Sequence, residues 1–211
     1  MMEKQNKSVI PGCLFIVSAP SGTGKTSLVR ALLESDIDLS LSISHTTRAP
    51  RSGEIDGKDY HFIGQEVFAS MLKSGCFLES AEVYGNFYGT SKQWLTETMA
   101  AGRDIILEID CQGAEQIQRI FAQSVSIFIL PPSQQVLAQR LHSRAQDDPA
   151  VIQRRLAAAR EEVSHIQDFN YIVVNNQLEY ALDELICIVK AERLRKHRQL
   201  IKYHSLISEL S

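Results

Sequence analysis

The sequence predicts an α/β fold, in which a parallel β-sheet is flanked by helices and a β-rich segment is inserted. Short, wholly apolar runs recur along the chain, as in strands whose two faces are both buried. Segments with helical spacing of apolar residues alternate with these runs, which is the order that builds a parallel sheet. With 211 residues, of which 44% are hydrophobic, the chain has enough apolar material for one core with smaller inserted parts.

The first apolar run opens a strand, turn and helix. Residues 13–17 (CLFIV) are too few for a helix, and we expect a strand that is buried on both faces. A turn with two glycines follows, and Leu28, Leu32 and Leu33 then recur at helical spacing. The pattern predicts a helix that begins near Lys25.

The next segment breaks this alternation. Residues 40–44 (SLSIS) alternate as a strand does, and residues 45–58 are polar and rich in glycine and proline. Aromatic residues then cluster between positions 60 and 88. Short strands and turns are typical of such a segment, so we expect a β-rich inserted lobe, defined here as residues 43–95.

The alternation returns from residue 92. We expect strands at 104–110, 125–130 and 171–174, and helices at 94–101, 114–122, 133–144, 149–163 and 178–189. Ser133 and Asp148 stand where helix N-caps are expected, and Pro149 follows as the first helical residue. The predicted core therefore consists of residues 1–42, 96–132 and 165–211, with a helical segment at 133–164 between its parts.

Composition excludes several classes of protein. A formal net charge of −3 gives no general attraction to nucleic acid or to anionic membranes. No run of 18 apolar residues is present to span a membrane. Four scattered cysteines have neither metal-site nor disulfide-framework spacing, which predicts reduced thiols in a cytoplasmic protein. The sequence leaves a homo-oligomer open.

Residues 19–26, called the glycine-rich loop below, fit the P-loop pattern, with Ala19 in place of its first glycine. Backbone N–H groups of such a loop cradle phosphate oxygens, and the following helix adds its positive N-terminal end. We expect Lys25 to reach the β- and γ-phosphates and the Thr26 hydroxyl to bind Mg²⁺. The residues expected to bind the nucleoside triphosphate are Ala19, Pro20, Ser21, Gly22, Thr23, Gly24, Lys25, Thr26 and Ser27.

Three further segments, residues 44–62, 77–79 and 85–90, closely resemble the GMP-binding segment of guanylate kinases. The similarity extends from about residue 13 to about residue 175, in order and at matching spacing. The resemblance implies a P-loop nucleoside monophosphate kinase that uses ATP, Mg²⁺ and GMP, with a GMP-binding inserted lobe. It implies that GMP is bound by Ser44, Arg48, Arg51, Tyr60, Glu79, Tyr88, Thr90 and Asp110.

The chemistry of these residues agrees with that implication. Two guanidinium groups, at Arg48 and Arg51, suit a doubly charged phosphate, and tyrosine hydroxyls could donate to the same oxygens. A carboxylate such as Glu79 can accept from N1–H and N2–H₂ of guanine, whereas adenine has no N1–H. Without the resemblance and the glycine-rich loop, a surface acid and a solvated basic loop are the simpler interpretations.

Three arginines resemble the lid of guanylate kinases, placed here at residues 133–164. Arg140 and Arg144 are four residues apart on one predicted helix, and Arg155 lies on the next. The resemblance implies that, with Lys25, they carry the catalytic charge stabilisation. Salt bridges with neighbouring acids are the alternative. Family members commonly have glycine after the second arginine, whereas this chain has Ala145, which leaves the kinetics of lid closure open.

Some assignments stay open at the level of sequence. Glu108 fits a Mg²⁺ or substrate site and a turn cap equally well, and Asn175 fits the adenine pocket or a turn. Three other functions are compatible with parts of the pattern: a non-catalytic peptide-binding module of the same fold, a kinase for another acceptor, and a GTPase switch. The presence of Gly24, Lys25, Thr26 and the lid arginines argues against the first, and the missing Asn-Lys-x-Asp motif against the last.

Overall fold

The computed structural model describes residues 10–144 and 149–211, without the side chains of residues 143, 144 and 149–152. The strands are β1 (Leu14–Ser18), β2 (Leu39–Leu41), β3 (His45–Thr46), β4 (His61–Phe62), β5 (Phe77–Val83), β6 (Asn86–Ser91), β7 (Asp104–Glu108), β8 (Val125–Leu130) and β9 (Tyr171–Val174). The helices are α1 (Lys25–Ser35), α2 (Gln65–Lys73), α3 (Lys92–Ala100), α4 (Cys111–Ile120), α5 (Gln134–Arg144), α6 (Pro149–Ser164), α7 (Leu178–Arg193), α8 (Lys196–Lys202) and α9 (His204–Leu210).

The larger sheet confirms the predicted α/β architecture. Its strands run parallel in the order β2-β7-β1-β8-β9. Successive residues of β1 point to opposite faces: Phe15 and Val17 pack in a cluster with α1 and α7, whereas Leu14 and Ile16 pack in a cluster with α3 and α4. Because both faces are covered, the strand is buried throughout and apolar from Leu14 to Val17, as the sequence pattern requires.

A second sheet of mixed direction lies within the inserted lobe. Its order is β4-β3-β6-β5, with β3 and β4 parallel and the other pairs antiparallel. Helix α2 was not among the predicted elements, although Phe68 is buried at its centre and Gly75 follows it in the left-handed region. The aromatic residues on either side of this helix favoured strands and concealed its short helical pattern.

Two predicted strand boundaries are wrong, for identifiable reasons. The strand expected at 40–44 instead ends at Leu41, because β2 belongs to the large sheet and residues 42–44 lead to β3 of the small one. The strand expected to reach Asp110 ends at Glu108. Asp110 instead caps α4 by accepting from Gly113 N, so this helix begins three residues earlier than expected.

Other boundaries agree with the sequence. Strands β8 and β9 have the predicted bounds, and Ser133 Oγ accepts from Val136 N at 3.1 Å at the start of α5. The expected cap Asp148 lies outside the described residues. Helices α8 and α9 contain no buried residue. In the described ranges, no helix is long and apolar enough to cross a membrane.

Candidate active site

The glycine-rich loop follows β1, the central strand of the large sheet, and leads directly into α1. Ligands of open α/β sheets bind at the carboxyl ends of such strands. Gly22 and Gly24 have φ of +89° and +92°, a region that residues with a Cβ atom rarely adopt. A Cβ on Gly24 would also lie 2.5 Å from Nδ2 of Asn175. The loop conformation therefore requires glycine at both positions.

Thr23 is the point at which the rest of the chain holds this loop. Its carbonyl oxygen accepts from Asn175 Nδ2 at 2.7 Å and from a terminal nitrogen of Arg140 at 3.1 Å. Arg140 also donates to the Asn175 carbonyl at 3.2 Å. Asn175 is buried, so its side chain is a support for the loop as well as part of the turn after β9.

A cavity of about 340 Å³ opens beside the loop. Its lining includes Gly22, Gly24 and Ser27, together with Arg140 and Asn175. Ala19 and Pro20 are buried behind the loop, whereas Ser21 is exposed at its tip. Of the residues expected to bind a nucleoside triphosphate, Gly22, Gly24, Ser27 and Asn175 therefore line one concave space.

Lys25 and Thr26 direct their polar groups toward the end of β7. Lys25 Nζ donates to the carbonyl of Ile109 at 3.2 Å, and the Thr26 hydroxyl donates to Glu108 Oε1 at 2.5 Å. A hydroxyl beside a carboxylate is the kind of oxygen donor that Mg²⁺ accepts, with phosphate oxygens and water completing its shell. Among the described residues no cluster of three or more His, Cys, Asp or Glu side chains could hold a metal alone.

A buried acid lies on β5 of the inserted lobe, close to the start of α4, the helix that follows β7. Glu79 is 4% exposed, and its Oε1 accepts from the Thr90 hydroxyl at 2.6 Å. Burial raises the pKa of Glu79 to about 7, and the nearby Asp110 carboxylate adds to that increase. Gly113 permits this proximity, because a Cβ there would lie 2.8 Å from Glu79 Oε2. Ser44 is also buried in the inserted lobe.

Arg48 lies among aromatic rings and a carboxylate. Its guanidinium carbon is 5.4 Å from the ring centre of Tyr60, whose ring centre is 5.9 Å from that of Tyr88. A terminal nitrogen of Arg48 donates to Glu54 Oε1 at 2.8 Å, and Glu54 Oε2 accepts from the backbone N–H of Arg51 at 2.7 Å. Burial raises the pKa of Tyr60 to about 12, with the Glu108 carboxylate adding to the increase.

The comparison with known proteins identifies the family. The family model described as "Guanylate kinase" matches residues 12–192. The chain belongs to the guanylate kinase family. A guanylate kinase of Nitrosospira multiformis is 59% identical over 201 residues, covering 95% of this chain and 96% of its own. One of Nitrosomonas europaea is 58% identical over 199 residues, covering 94% of this chain and 99% of its own.

A solved structure supports the same family assignment. The crystal structure of guanylate kinase from Anaplasma phagocytophilum superposes with a TM-score of 0.77 at 35% identity, and the match covers 89% of each chain. This agreement extends the family assignment from the sequence to the three-dimensional arrangement of the large sheet and its helices.

Most of the site residues predicted from the sequence lie in two groups in the structure. The first surrounds the glycine-rich loop, with Arg140 and Asn175. The second lies in the inserted lobe and at the start of α4, where Glu79, Thr90 and Asp110 converge. Arg155 lies on α6, whereas the side chain of Arg144 is outside the part that the structure describes.

Two acids near these groups were missed at the level of sequence. The Glu54 carboxylate accepts a hydrogen bond from Arg48. Its position three residues after Arg51, in a turn, is the sequence feature that could have indicated this contact. Glu162 was interpreted only as a salt-bridge partner for arginines. It lies on α6, two helical turns beyond Arg155, and burial raises its pKa to about 7. Lys25 opposes that increase, whereas Asp110 and Glu161 add to it.

Proposed function

We propose that this chain catalyses reversible transfer of the γ-phosphoryl group of ATP to GMP, giving ADP and GDP, in purine nucleotide metabolism. The observation that carries this proposal is the buried pair of Glu79 and Thr90 beside the carboxyl edge of the large sheet. This pair supplies an acceptor for guanine at the same edge as the glycine-rich loop. Membership of the guanylate kinase family supports the same reaction.

Guanine recognition follows from the hydrogen-bonding capacity of the pair. The ionised Glu79 carboxylate can accept from N1–H and N2–H₂ of guanine, while Thr90 fixes its orientation. Ser44 and Thr90 hydroxyls can serve the remaining edge of the base, and Asp110 lies beside Glu79. Adenine would place an unprotonated N1 against the acid, and an unpaired buried polar group disfavours binding strongly.

The acceptor phosphate is assigned to Arg48, Arg51, Tyr60 and Tyr88. The Glu54 carboxylate contacts the Arg48 guanidinium and the Arg51 backbone N–H. The phosphate of GMP would replace that carboxylate, because both groups present two anionic oxygens that a guanidinium fork can bind. The aromatic rings around Arg48 hold its side chain in place before the substrate arrives.

The donor phosphates are assigned to the glycine-rich loop. Backbone N–H groups and the start of α1 would bind them, with Lys25 turning from the Ile109 carbonyl to the β- and γ-phosphates. Thr26, with Glu108 as its hydrogen-bond partner, would hold Mg²⁺. The ion supplies charge neutralisation on the phosphate oxygens when bound.

Transfer is proposed to be direct and in line, without a covalent enzyme intermediate. Arg140, Arg144 and Arg155 would stabilise the charge on the transferring group and help exclude water, which would otherwise compete with GMP as acceptor. The inserted lobe (43–95) and the lid (133–164) would move toward the core on binding both substrates. Four free cysteines fit the cytoplasmic location that we also propose.

An acceptor panel tests this function. ADP formation from MgATP is measured with GMP, AMP, UMP or CMP, for the wild type and for Arg48→Ala. We expect turnover with GMP alone and a loss of about 10²-fold or more in kcat/KM for Arg48→Ala. Arg119→Ala is the matched control, since that exposed arginine pairs with Glu115 on its own helix. A folded protein that transfers phosphate to none of the acceptors would refute the proposal and favour a binding module.

A further inference from the structure

Strand β5 is one edge of the small sheet in the inserted lobe, and it contacts helix α4 of the core. The backbone groups on the outer side of an edge strand have no neighbouring strand to pair with. At Ser80 of β5, these groups are paired instead with the side chain of Gln116 on α4. Gln116 Oε1 accepts from the Ser80 N–H at 3.2 Å, and Gln116 Nε2 donates to the Ser80 carbonyl at 2.9 Å.

This contact uses both halves of the glutamine amide. A primary amide carries a donor beside an acceptor, as the backbone of a neighbouring strand does, so it can pair with an edge strand. Glutamate at position 116 would lack the donor, asparagine would be one methylene shorter, and methionine would lack both polar groups. The pairing of α4 with β5 therefore depends on the identity of this residue.

The same face of α4 also meets Glu79, the residue before Ser80. Gly113 and Gln116 are three residues apart on α4, so they lie on one face of that helix. A Cβ atom at Gly113 would lie only 2.8 Å from Glu79 Oε2. The pairing register of β5 with β6 shifts between Phe77 and Glu79, and such an irregularity changes the direction of strand side chains. The direction of the Glu79 side chain therefore depends on how β5 is held against α4.

We propose that Gln116 is a positioning residue for guanine recognition, because its amide holds β5 against α4 and so keeps the Glu79 carboxylate beside Asp110 at the acceptor site. This inference rests on the proposed function. Gln116 acts through the Ser80 backbone and needs no contact with the substrate, since both ends of its amide are already used. A displacement of about 1 Å in a group that orients a substrate can cost about 10²-fold in rate, so the loss of two hydrogen bonds is enough to matter.

This role affects the binding of GMP more than the chemical step. The base is remote from the transferring phosphoryl group, so contacts to guanine contribute equally to the ground state and the transition state. Their loss should therefore raise KM for GMP and leave kcat nearly unchanged. KM for ATP should also stay unchanged, since the two hydrogen bonds of Gln116 go to the inserted lobe and not to the glycine-rich loop.

Steady-state kinetics of Gln116→Met tests the inference. Methionine keeps the length and the helix propensity of glutamine but removes both hydrogen bonds. We expect KM for GMP to rise about tenfold, kcat to change by less than about twofold, and the ratio of kcat/KM for GMP to kcat/KM for AMP to fall about tenfold. Gln116→Ala removes the same two bonds and should give the same result.

The pH profile supplies a readout that a purely structural role would not move. Burial raises the pKa of Glu79, and the Asp110 carboxylate adds to the increase. Releasing β5 from α4 would let water reach Glu79 and would separate it from Asp110, so both causes would weaken. In Gln116→Met, the increase in KM for GMP on acidification should therefore begin at a lower pH than in the wild type.

Gln118→Met is the matched control. Gln118 lies on the same helix, but its amide donates to Ser126 Oγ and to the Asp168 carbonyl, each at 2.8 Å, within the core. The control should lose stability through the missing bonds and keep the wild-type KM for GMP, acceptor ratio and pH profile. Thermal unfolding of every variant separates a folding defect from a change in the site. Gln116→Ala decides the question if Gln116→Met does not fold.

Four results would overturn the inference. These are a wild-type KM for GMP and acceptor ratio in folded Gln116→Met, a pH profile that does not move, equal losses in Gln118→Met, or a loss confined to kcat. Equal losses would assign the effect to general stability, and a loss confined to kcat would assign it to the chemical step. The acceptor panel reports on the proposed function separately: a wild type that phosphorylates GMP, while Gln116→Met keeps its selectivity, refutes only this inference.

Discussion

Thr90 donates its hydroxyl proton to Glu79 Oε1 at 2.6 Å, and both residues are buried in the inserted lobe. A carboxylate in such a place is costly, because burial and the neighbouring Asp110 both favour its neutral form. Thr90 recovers only part of that cost. The arrangement fits a site that completes its hydrogen bonds with a ligand.

The affinity for GMP should depend on pH through Glu79. The folded-state pKa is about 7, and only the ionised form accepts from both guanine donors. Binding should therefore strengthen as pH rises through 7, and KM for GMP should increase up to about tenfold per unit below it. Initial rates between pH 6 and 9 test this, with KM for ATP as the internal reference. A KM for GMP that is constant over this range contradicts the assignment.

Glu79 should also reduce stability at alkaline pH. Because its pKa is raised in the folded state, the folded protein binds more protons than the unfolded one between about pH 4.5 and 7. Its contribution to the free energy of unfolding therefore falls as pH rises through this window. Glu79→Gln should unfold at a higher temperature than the wild type at pH 8, and calorimetry at pH 5 and pH 8 tests whether the difference disappears at the lower pH.

Gly24→Ala should abolish productive ATP binding. Its φ of +92° disfavours any Cβ, and the added atom would lie 2.5 Å from Asn175 Nδ2. We expect kcat/KM for ATP to fall by about 10²-fold or more. Gly75→Ala is the matched control, because its φ is +67° but nothing lies within 4 Å of the added Cβ. The control should lose about 1 kcal/mol of stability and keep its activity; equal losses of activity in both variants would refute the argument.

Asn175 should act on the ATP side alone. Its side-chain amide donates to the Thr23 carbonyl at 2.7 Å, and its backbone carbonyl accepts from Arg140. Asn175→Asp replaces the donor by a carboxylate that would repel the Thr23 carbonyl, so we expect KM for ATP to rise by about tenfold. Asn175→Ala should have a smaller effect, and neither should change KM for GMP. A change confined to KM for GMP would contradict this placement.

Arg193 should contribute to stability without affecting chemistry. It donates to Asp104 at 2.6 Å and to Asp36 at 2.5 Å, which connects α7 to β7 and to the end of α1. Burial acts against ionisation of Asp36, but hydrogen bonds from Arg193 and Asp38 N–H hold its pKa below the ordinary value. This stability is present above pH 4 and is lost as pH falls through the lowered pKa.

Replacing Arg193 by Met should therefore reduce the free energy of unfolding at pH 7 by about 2 kcal/mol. Arg119→Met removes an exposed pair within one helix and should change it by less than about 0.5 kcal/mol. Chemical denaturation at pH 7 and pH 3 measures both variants. The deficit of Arg193→Met should shrink at pH 3, and a deficit that is unchanged there would contradict the role of Asp36.

Local patterns made much of the fold predictable. The apolar runs of β8 and β9 have clear boundaries, and Ser133 marks the start of α5. Pairing between strands is not a local property, which explains why residues 40–44 were expected to form one strand. The sequence contains no mark at Ser42 to show that the chain leaves one sheet there and joins another.

The site was predictable where one motif carries it, and less so where distant segments meet. The glycine-rich loop could be identified from its own residues. The support that Asn175 gives to Thr23 joins positions 152 residues apart, and the sequence offered the adenine pocket and a turn as nearly equal interpretations of that asparagine. Glu54 and Glu162 were missed because a charged residue in a turn or on a helix has the composition of ordinary surface.

The most direct test of the central claim is the ratio of kcat/KM for GMP to kcat/KM for AMP, measured for the wild type and for Glu79→Gln. If the buried Glu79 carboxylate accepts hydrogen bonds from guanine, this ratio should be about 10⁴ or more in the wild type. The same account predicts a ratio reduced by at least about 10²-fold in the variant, with KM for ATP unchanged. A wild type that uses both acceptors equally, or a variant that keeps the full ratio, would contradict the account.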